Sequence, residues 1–426
     1  MLRFAPSPTR DINISDLRVA LFNYMVSVQN NEDLLIRIED TDIENNIEGK
    51  DKEILEILNL FSISYKYAVH QNDNLKYHSQ FAMQLLVNRK AFNCFCGEVA
   101  LQNDKDEAKE NNKPYRYSGF CENLSDAATF ECEAPFTVRL KKPLENIKFT
   151  DLIQGEFDCK GFDIDSFRIL NHNKTPTCVF AGAIDDMLSN ISTVIRSEEH
   201  ITNTAKQIHI RSLLGYDKQI NYIHLPFISN DSVQELVTQG YLPAAITNYL
   251  ISLGYDLPKD ENGNNIEIFT LEEALKWFDI SKVSSSDASF DIEKLKYINK
   301  EHIKAMDELR LSKILGYSDK DIGSLAKVYL EQCDTISQIK VKIDDIFKPR
   351  ESNKEFEVEF EKIISCLKDA PYIENYNDFE KYIQTNTNIQ PLELMTPLRF
   401  VLTNTTSGPQ LSEIYPLIRN YLGVII

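Results

Sequence analysis

The stretch RFAPSPTRDINISDLR, Arg3 to Arg18, decides the fold. Leu2 to Ala5 reads as a short strand, and Leu17, Leu21, Tyr24, Met25 and Val28 then recur at helical spacing. Ser15 or Asp16 is the expected N-cap, since a short polar side chain can accept from a free amide of the first turn. Leu34 to Ile38 follows as a compact β-like run. Strand, helix, strand in that order begins a parallel α/β sheet. The first strand-to-helix turn of such a sheet points helix amides outward and is its phosphate-binding place. Residues 10–15 occupy that turn.

Further along, Ile54, Leu55 and Leu58 make Lys50 to Leu60 helical. Residues 92–140, rich in Cys, polar and turn residues, read as an insertion, with NDKDEAKENNK at 103–113 as a solvated, charged segment. Residues 163–230 return to the α/β pattern and end in the strand-like Tyr222 to Phe227. Beyond about residue 240 amphipathic helices dominate, and 258–267 and 282–288 read as loops.

A chain of 426 residues exceeds one ordinary core, so about two to four domains are expected. No apolar run approaches the ~18 residues of a membrane span. Arg3, Pro6 and Pro8 break any signal-peptide pattern, which leaves the cytoplasm as the expected location. A net charge of −19 argues against broad DNA or membrane binding, although a local basic face could still hold RNA. Eight cysteines are too sparse for a disulfide scaffold. Cys94, Cys96, Cys121 and Cys132 fall in one region; the other four read as buried small apolar residues.

The opening stretch resembles the nucleotide-binding signature of glutamyl-tRNA synthetases, a family of class I aminoacyl-tRNA synthetases, which runs RFAPSPTG, a spacer, HIG and an Arg. Arg3 to Thr9, Ile14 and Arg18 fit it; Arg10 replaces the turn glycine, Asn13 the histidine and Ser15 the second glycine. RIEDTD at 37–42, PTCVFAGAIDD at 176–186, VIRSEEHITNTAKQ at 194–207, HLPFI at 224–228, LPAAITNYL at 242–250, WF at 277–278 and LRFVLTNTTSGPQLSEI at 398–414 resemble further family segments in order. The resemblance implies an α/β fold: a Rossmann-type class I synthetase catalytic domain in two halves, 1–90 and 161–235, around an inserted acceptor-end domain, 91–160. A helical stem-contact region, 236–300, and an all-α anticodon-binding domain, 301–426, follow.

By motif position, Arg3, Ser7, Glu39, Arg196 and His200 belong to the family's glutamate pocket, with Glu39 as acceptor for the ammonium and Arg196 as partner for a carboxylate. Cys178 stands where the family has a Tyr. Pro8, Thr9, Asn13 and Ser15 fall on the ATP side; Asn13 cannot become cationic, and Ser15 adds bulk where close approach is needed. With Asn13, Ile14, Ser15 and Asp16 as a degenerate signature, no catalytic set is intact. The family's lysine-bearing KMSKR loop is also missing after Asp231, where HLPFISND runs straight into SVQELVTQGYLP. Cys94, Cys96 and Cys121 match the spacing of the family's zinc site, with Asn123 in place of the usual His and Cys132 as the substitute fourth ligand. The implied ligands are L-glutamate, ATP with Mg, tRNA of the glutamate or glutamine type and a structural zinc, on an expected monomer. Lys348, Arg350 and Arg399 are candidates for the tRNA surface. Two functions follow: a degenerate paralogue that binds tRNA with little or no aminoacylation, which is the favoured reading, and a working glutamate–tRNA ligase with an unusual site.

Overall fold

A computed structural model describes residues 1–112, 115–286, 288–351 and 353–426. Position 113 of the charged segment and position 287 of the second expected loop lie outside the described residues. The chain divides into two compact units. The first comprises Met1–Gln234, Leu250–Asn265 and Leu271–Phe290; the second comprises Glu235–Tyr249, Ile266–Thr270 and Asp291–Ile426.

In the first unit, β1 (Leu2–Phe4), α1 (Ile14–Gln29), β2 (Leu34–Ile38), α2 (Lys50–Leu60), β3 (Tyr67–His70) and α3 (Leu75–Val87) alternate as the periodicity requires. Next come β4 (Ala91–Cys94), α4 (Glu98–Glu110), α5 (Asp126–Glu131), β5 (Thr137–Leu140), β6 (Ile147–Asp151), β7 (Gly155–Cys159) and β8 (Arg168–Leu170). The unit continues with α6 (Cys178–Leu188), β9 (Thr193–Ser197), α7 (Ile201–Leu213) and β10 (Asn221–Leu225).

A seven-stranded sheet has the order β3-β2-β1-β9-β10-β6-β7, parallel throughout except for the terminal β6–β7 hairpin. Every residue of β2 is buried, as expected of a parallel strand covered on both faces. Strand order reverses at β1, with β2 and β3 on one side and β9 and β10 on the other. The crevice beyond the carboxyl ends of β1 and β9 is therefore the place where such sheets take ligands.

A second, antiparallel sheet, β4-β5-β8, carries the inserted segment. The β6–β7 hairpin, although within 91–160, pairs through β6 with β10 and so extends the main sheet. Residues 103–110 of the charged segment form the exposed end of α4, since their Glu, Lys and Ala residues are good helix formers. The N-cap of α1 is Asn13, earlier than Ser15 or Asp16. The Asn13 side chain accepts from the Asp16 amide while Asp16 accepts from the Asn13 amide, a reciprocal box that fixes the start. Of the scattered cysteines, Cys333 is buried, Cys159 and Cys366 are half-buried and Cys178 is exposed.

The remaining helices are α8 (Val233–Thr238), α9 (Pro243–Ser252), α10 (Leu271–Trp277), α11 (Ile292–Ala305), α12 (Glu308–Leu315), α13 (Lys320–Val328), α14 (Ile336–Phe347), α15 (Glu357–Lys368), α16 (Tyr376–Thr387), α17 (Pro391–Thr403), α18 (Leu411–Ile418) and α19 (Leu422–Ile425). The starts of α11, α12, α13, α14 and α16 are set by side-chain caps: Asp291, Asp307, Asp319, Thr335 and Asn375 each accept a first-turn amide. Their apolar faces share one core through Leu311, Leu325, Ile343, Ile363, Leu398 and Ile414.

All three candidate tRNA-surface cations have partners within this unit. Arg350 donates to the carbonyls of Asp345, Ile346, Lys348, Val401 and Leu402, satisfying acceptors that the ends of α14 and α17 leave free. Burial lowers its pKa to about 10. Arg399 donates to the Pro409 carbonyl at 2.5 Å, and Lys348 pairs with Asp345 at 2.5 Å.

The tightest helix contact in this unit lies between α12 and α13. A Cβ at Gly323 would sit 1.8 Å from the Glu308 carbonyl oxygen, so no side chain fits there without separating the helices. Gly323→Ala is expected to destabilise the protein by about 1–3 kcal/mol or more through overpacking, read as a lower urea midpoint with little change in slope.

Candidate amino-acid and nucleotide site

Three strand ends build the amino-acid side of the crevice. Arg3 on β1 donates through Nε to Asp186 Oδ1 at 3.2 Å, and Arg37 on β2 donates to the same oxygen at 2.7 Å. Both guanidinium groups and the carboxylate are buried. Burial alone would raise the Asp186 pKa, but Arg3 and Arg37 overcome that cost and hold it far below the usual carboxylate range. The second arm of Arg37 reaches Glu39 Oε1 at 3.1 Å. Burial raises the Glu39 pKa, and Arg37 opposes the shift. The Glu39 backbone amide donates to the Pro6 carbonyl at 2.8 Å, and Ser7 Oγ donates to the Glu39 carbonyl at 3.2 Å. These bonds tie the segment after β1 to the end of β2.

Arg196, at the end of β9, differs from the other two arginines. It donates to Gln207 Oε1 at 3.0 Å, Thr204 Oγ1 at 2.6 Å, the His200 carbonyl at 3.2 Å and His224 Nε2 at 3.1 Å. Among the described residues no carboxylate lies within ion-pair distance of it, and desolvation followed by repulsion from Arg3 lowers its pKa to about 10. A half-buried guanidinium held by neutral partners has a charge left over for an incoming anion. A Cβ at Gly182 on α6 would come within 3.1 Å of Gln207 Nε2, 3.8 Å of Arg37 and 3.9 Å of Glu39, so this glycine lets the helix approach the pocket.

The structure brings together the residues expected around the amino acid: Ser7 bonds the Glu39 backbone, Arg3 lies near Glu39 and Arg196, Cys178 lies near Glu39, and His200 bonds Arg196. Cys178, the first residue of α6, is exposed. His200 contributes its carbonyl to Arg196. Arg37, Asp186, Thr204, Gln207 and His224 are not among the residues that the sequence singles out, although two left a mark in it. Arg37 is a charge inside the apolar run LLIRI, and His224 interrupts the apolar end of β10.

The nucleotide side has a different character. Arg10 makes a two-armed pair with Asp16, at 2.5 and 3.2 Å. Asn13 spends its side chain on the helix cap and on Asn230 Oδ1 at 3.1 Å. Ser15 Oγ donates to the Ser229 carbonyl at 3.0 Å and accepts from the Ile228 and Ser229 amides at 3.1 and 3.2 Å. The backbone after β10 then runs antiparallel to the turn, with Ile14 N to Asp231 O at 3.0 Å and Val233 N to Ile12 O at 3.1 Å. Residues 228–233 therefore lie hydrogen-bonded across the N-terminus of α1. Pro8 is buried and its carbonyl accepts from Ile47; Thr9 sits half-buried in the turn.

In the antiparallel sheet region, the thiols of Cys94, Cys96 and Cys121 lie within 4.8 Å of one another, a group able to hold a metal ion. The nearest further donor is the Tyr117 hydroxyl, 3.4 Å from Cys94 Sγ and 3.6 Å from Cys96 Sγ. Burial, with the neighbouring sulfurs, pushes the Cys96 thiol up to about 11. Three crowded thiols of this kind fit a thiophilic cation. Cys132 does not join them: it is exposed, at the C-cap of α5.

Asp186→Asn would leave two buried guanidinium groups without their common counter-charge. A loss of about 3–5 kcal/mol is expected in denaturant unfolding near neutral pH. Because the folded pKa of Asp186 is depressed, its contribution is complete above the ordinary aspartate value and fades as pH falls toward the folded one, so the gap between the two proteins should narrow in acid.

Residues 1–297 match the family model described as tRNA synthetases class I (E and Q), catalytic domain. The chain is 48% identical over 438 aligned positions to glutamate–tRNA ligase 2 of Sulfurimonas denitrificans, covering 100% of both chains. It is 48% identical over 434 positions to glutamate–tRNA ligase 1 of Campylobacter jejuni subsp. jejuni, covering 99% of each. In fold it is similar to the crystal structure of a glutamate tRNA ligase from Elizabethkingia meningosepticum in complex with its amino acid, with a TM-score of 0.80 at 21% identity over 100% of this chain and 98% of that one. The chain belongs to the glutamyl-tRNA synthetase family of class I aminoacyl-tRNA synthetases.

Proposed function

We propose that this protein binds L-glutamate and tRNA in the manner of its family, and that its ATP-dependent activation of glutamate is impaired. The observation that carries the second half is the backbone of residues 228–233, hydrogen-bonded across Ile12, Ile14 and Ser15 where a parallel α/β sheet takes phosphates. Arg10, the cation nearest that turn, is neutralised by Asp16, and α8 begins at Val233, leaving no stretch for a lysine-bearing loop. The 438 positions aligned with the Sulfurimonas protein exceed the 426 residues of this chain, which agrees with a segment lost here.

The first half rests on the pocket. Arg196 offers an uncompensated cation to a carboxylate, and Glu39 faces the ammonium. The same complete pocket and the full-length identity favour a second reading, a working glutamate–tRNA ligase with an unusual nucleotide site. The tRNA would be of the glutamate or glutamine type, and the protein a cytoplasmic monomer.

Glutamate-dependent ATP–pyrophosphate exchange, run with tRNA and Mg present, separates the two readings. Loss of even one preorganised transition-state donor typically costs ~10²- to 10³-fold, so exchange at least that far below the Sulfurimonas ligase is expected. A rate within about tenfold of that enzyme would establish the second reading. Binding of tRNA should persist and weaken steeply with salt in a mobility-shift titration.

We also assign a structural zinc to Cys94, Cys96 and Cys121, a group that braces the inserted sheet and takes no part in the chemistry. Metal analysis of the purified protein should find stoichiometric zinc. Cys96→Ser should lose it along with thermal stability, whereas Cys132→Ser should keep both.

A further inference from the structure

Arg196 reaches its position through a chain of side chains that begins at the sheet edge. The turn closing the β6–β7 hairpin fixes Asp151, whose Oδ1 accepts the amides of Ile153 and Gln154 at 2.9 and 2.8 Å. Its other oxygen faces His224 Nδ1 at 2.7 Å. Both side chains are fully buried. His224 stands directly opposite Arg196 in the parallel register of β9 and β10, and its Nε2 lies 3.1 Å from Arg196 Nε and 3.1 Å from Thr204 Oγ1. A guanidinium can only donate, so His224 Nε2 has to accept, which places the ring proton on Nδ1 toward Asp151. The hairpin thus dictates the tautomer, and the tautomer provides the lone pair that holds the Nε edge of Arg196.

We infer that Asp151 and His224 are positioning residues for ligand carboxylate binding: they hold Arg196 by presenting an unprotonated Nε2, and protonation of His224 releases it. The inference rests on the glutamate-binding reading above for the identity of the ligand. A second proton on His224 would turn its acceptor into a donor aimed at the Arg196 Nε–H and bring two cations together. The groups facing His224 act in opposite senses. Asp151 from β6 favours the imidazolium, while Arg196 from β9 and Arg3 from β1 oppose it. Tyr222 stacks beside the ring, and Gln154 links the His224 carbonyl to Glu198. Burial lowers the His224 pKa and outweighs Asp151, so the ring is neutral at neutral pH and the switch lies on the acid side of an ordinary histidine.

Two measurements on the full chain test this. Calorimetric titration with L-glutamate between about pH 7.5 and about pH 5, where the ligand carboxylates stay largely ionised, should show a loss of affinity toward the acid end. His224→Gln keeps an acceptor oxygen but cannot titrate, so it should bind at neutral pH with a flat profile; His224→Phe should bind weakly throughout. A flat parent profile, or the parent's pH slope surviving in His224→Gln, overturns the inference. Histidine side-chain ¹H–¹⁵N spectra without ligand should show His224 protonated at Nδ1 in the parent and redistributed toward Nε2 in Asp151→Asn. An Nε2-protonated ring in the parent overturns it as well. If the parent binds no glutamate at any pH, the functional reading fails, while the spectra still decide the role of Asp151 and His224.

Discussion

Asp186 is buried, and one of its oxygens accepts from both Arg3 and Arg37. Three charges out of water are tolerable only when each is paired, because leaving one bare costs several kcal/mol. This requirement joins α6, which supplies Asp186, to β1 and β2, which supply the arginines, and so fixes the two sides of the switch point. Glu39 depends on it in turn, since Arg37 spends one arm on Asp186 and the other on Glu39. The pocket is held together by charge compensation more than by packing.

Against that background Arg196 is distinct. Arg3 and Arg37 are compensated from within the fold; Arg196 is held by an amide, a hydroxyl, a carbonyl and an imidazole. Neutral partners orient a guanidinium without consuming its charge, which is the condition for binding an external anion. Two kinds of buried arginine thus stand close together, told apart by what each is bonded to.

The nucleotide side inverts this logic. Polar groups of the turn satisfy one another: Asn13 and Asp16 cap the helix, Arg10 pairs with Asp16, and Ser15 takes up three backbone groups from residues 228 and 229. A ligand arriving there would have to displace existing hydrogen bonds rather than fill open ones. Around Arg196, by contrast, a cation without a carboxylate partner among the described residues is already in place.

Much of this was legible in the chain itself. Compact apolar runs marked β1, β2 and β10, and 3.6-residue spacing marked α1, α2 and the helical character of the C-terminal half, because burial must repeat with the geometry of the element. The motif strings placed Arg3, Glu39 and Arg196 in one site, and the three cysteines were readable from spacing. Only the tertiary structure decided which charges pair. Asp186 and Arg37 lie 149 residues apart, and nothing local in either segment says that they share an oxygen. For the same reason spacing alone did not exclude Cys132, which the fold leaves exposed and outside the cluster of three thiols. Arg350, read from sequence as a candidate surface cation, donates to carbonyls at the ends of α14 and α17, and Arg399 donates to the Pro409 carbonyl. Sequence determines which residues carry charge and which elements they ride on; only the packed fold determines whether that charge is spent internally or left for a ligand, because compensation depends on distances between segments remote in the chain.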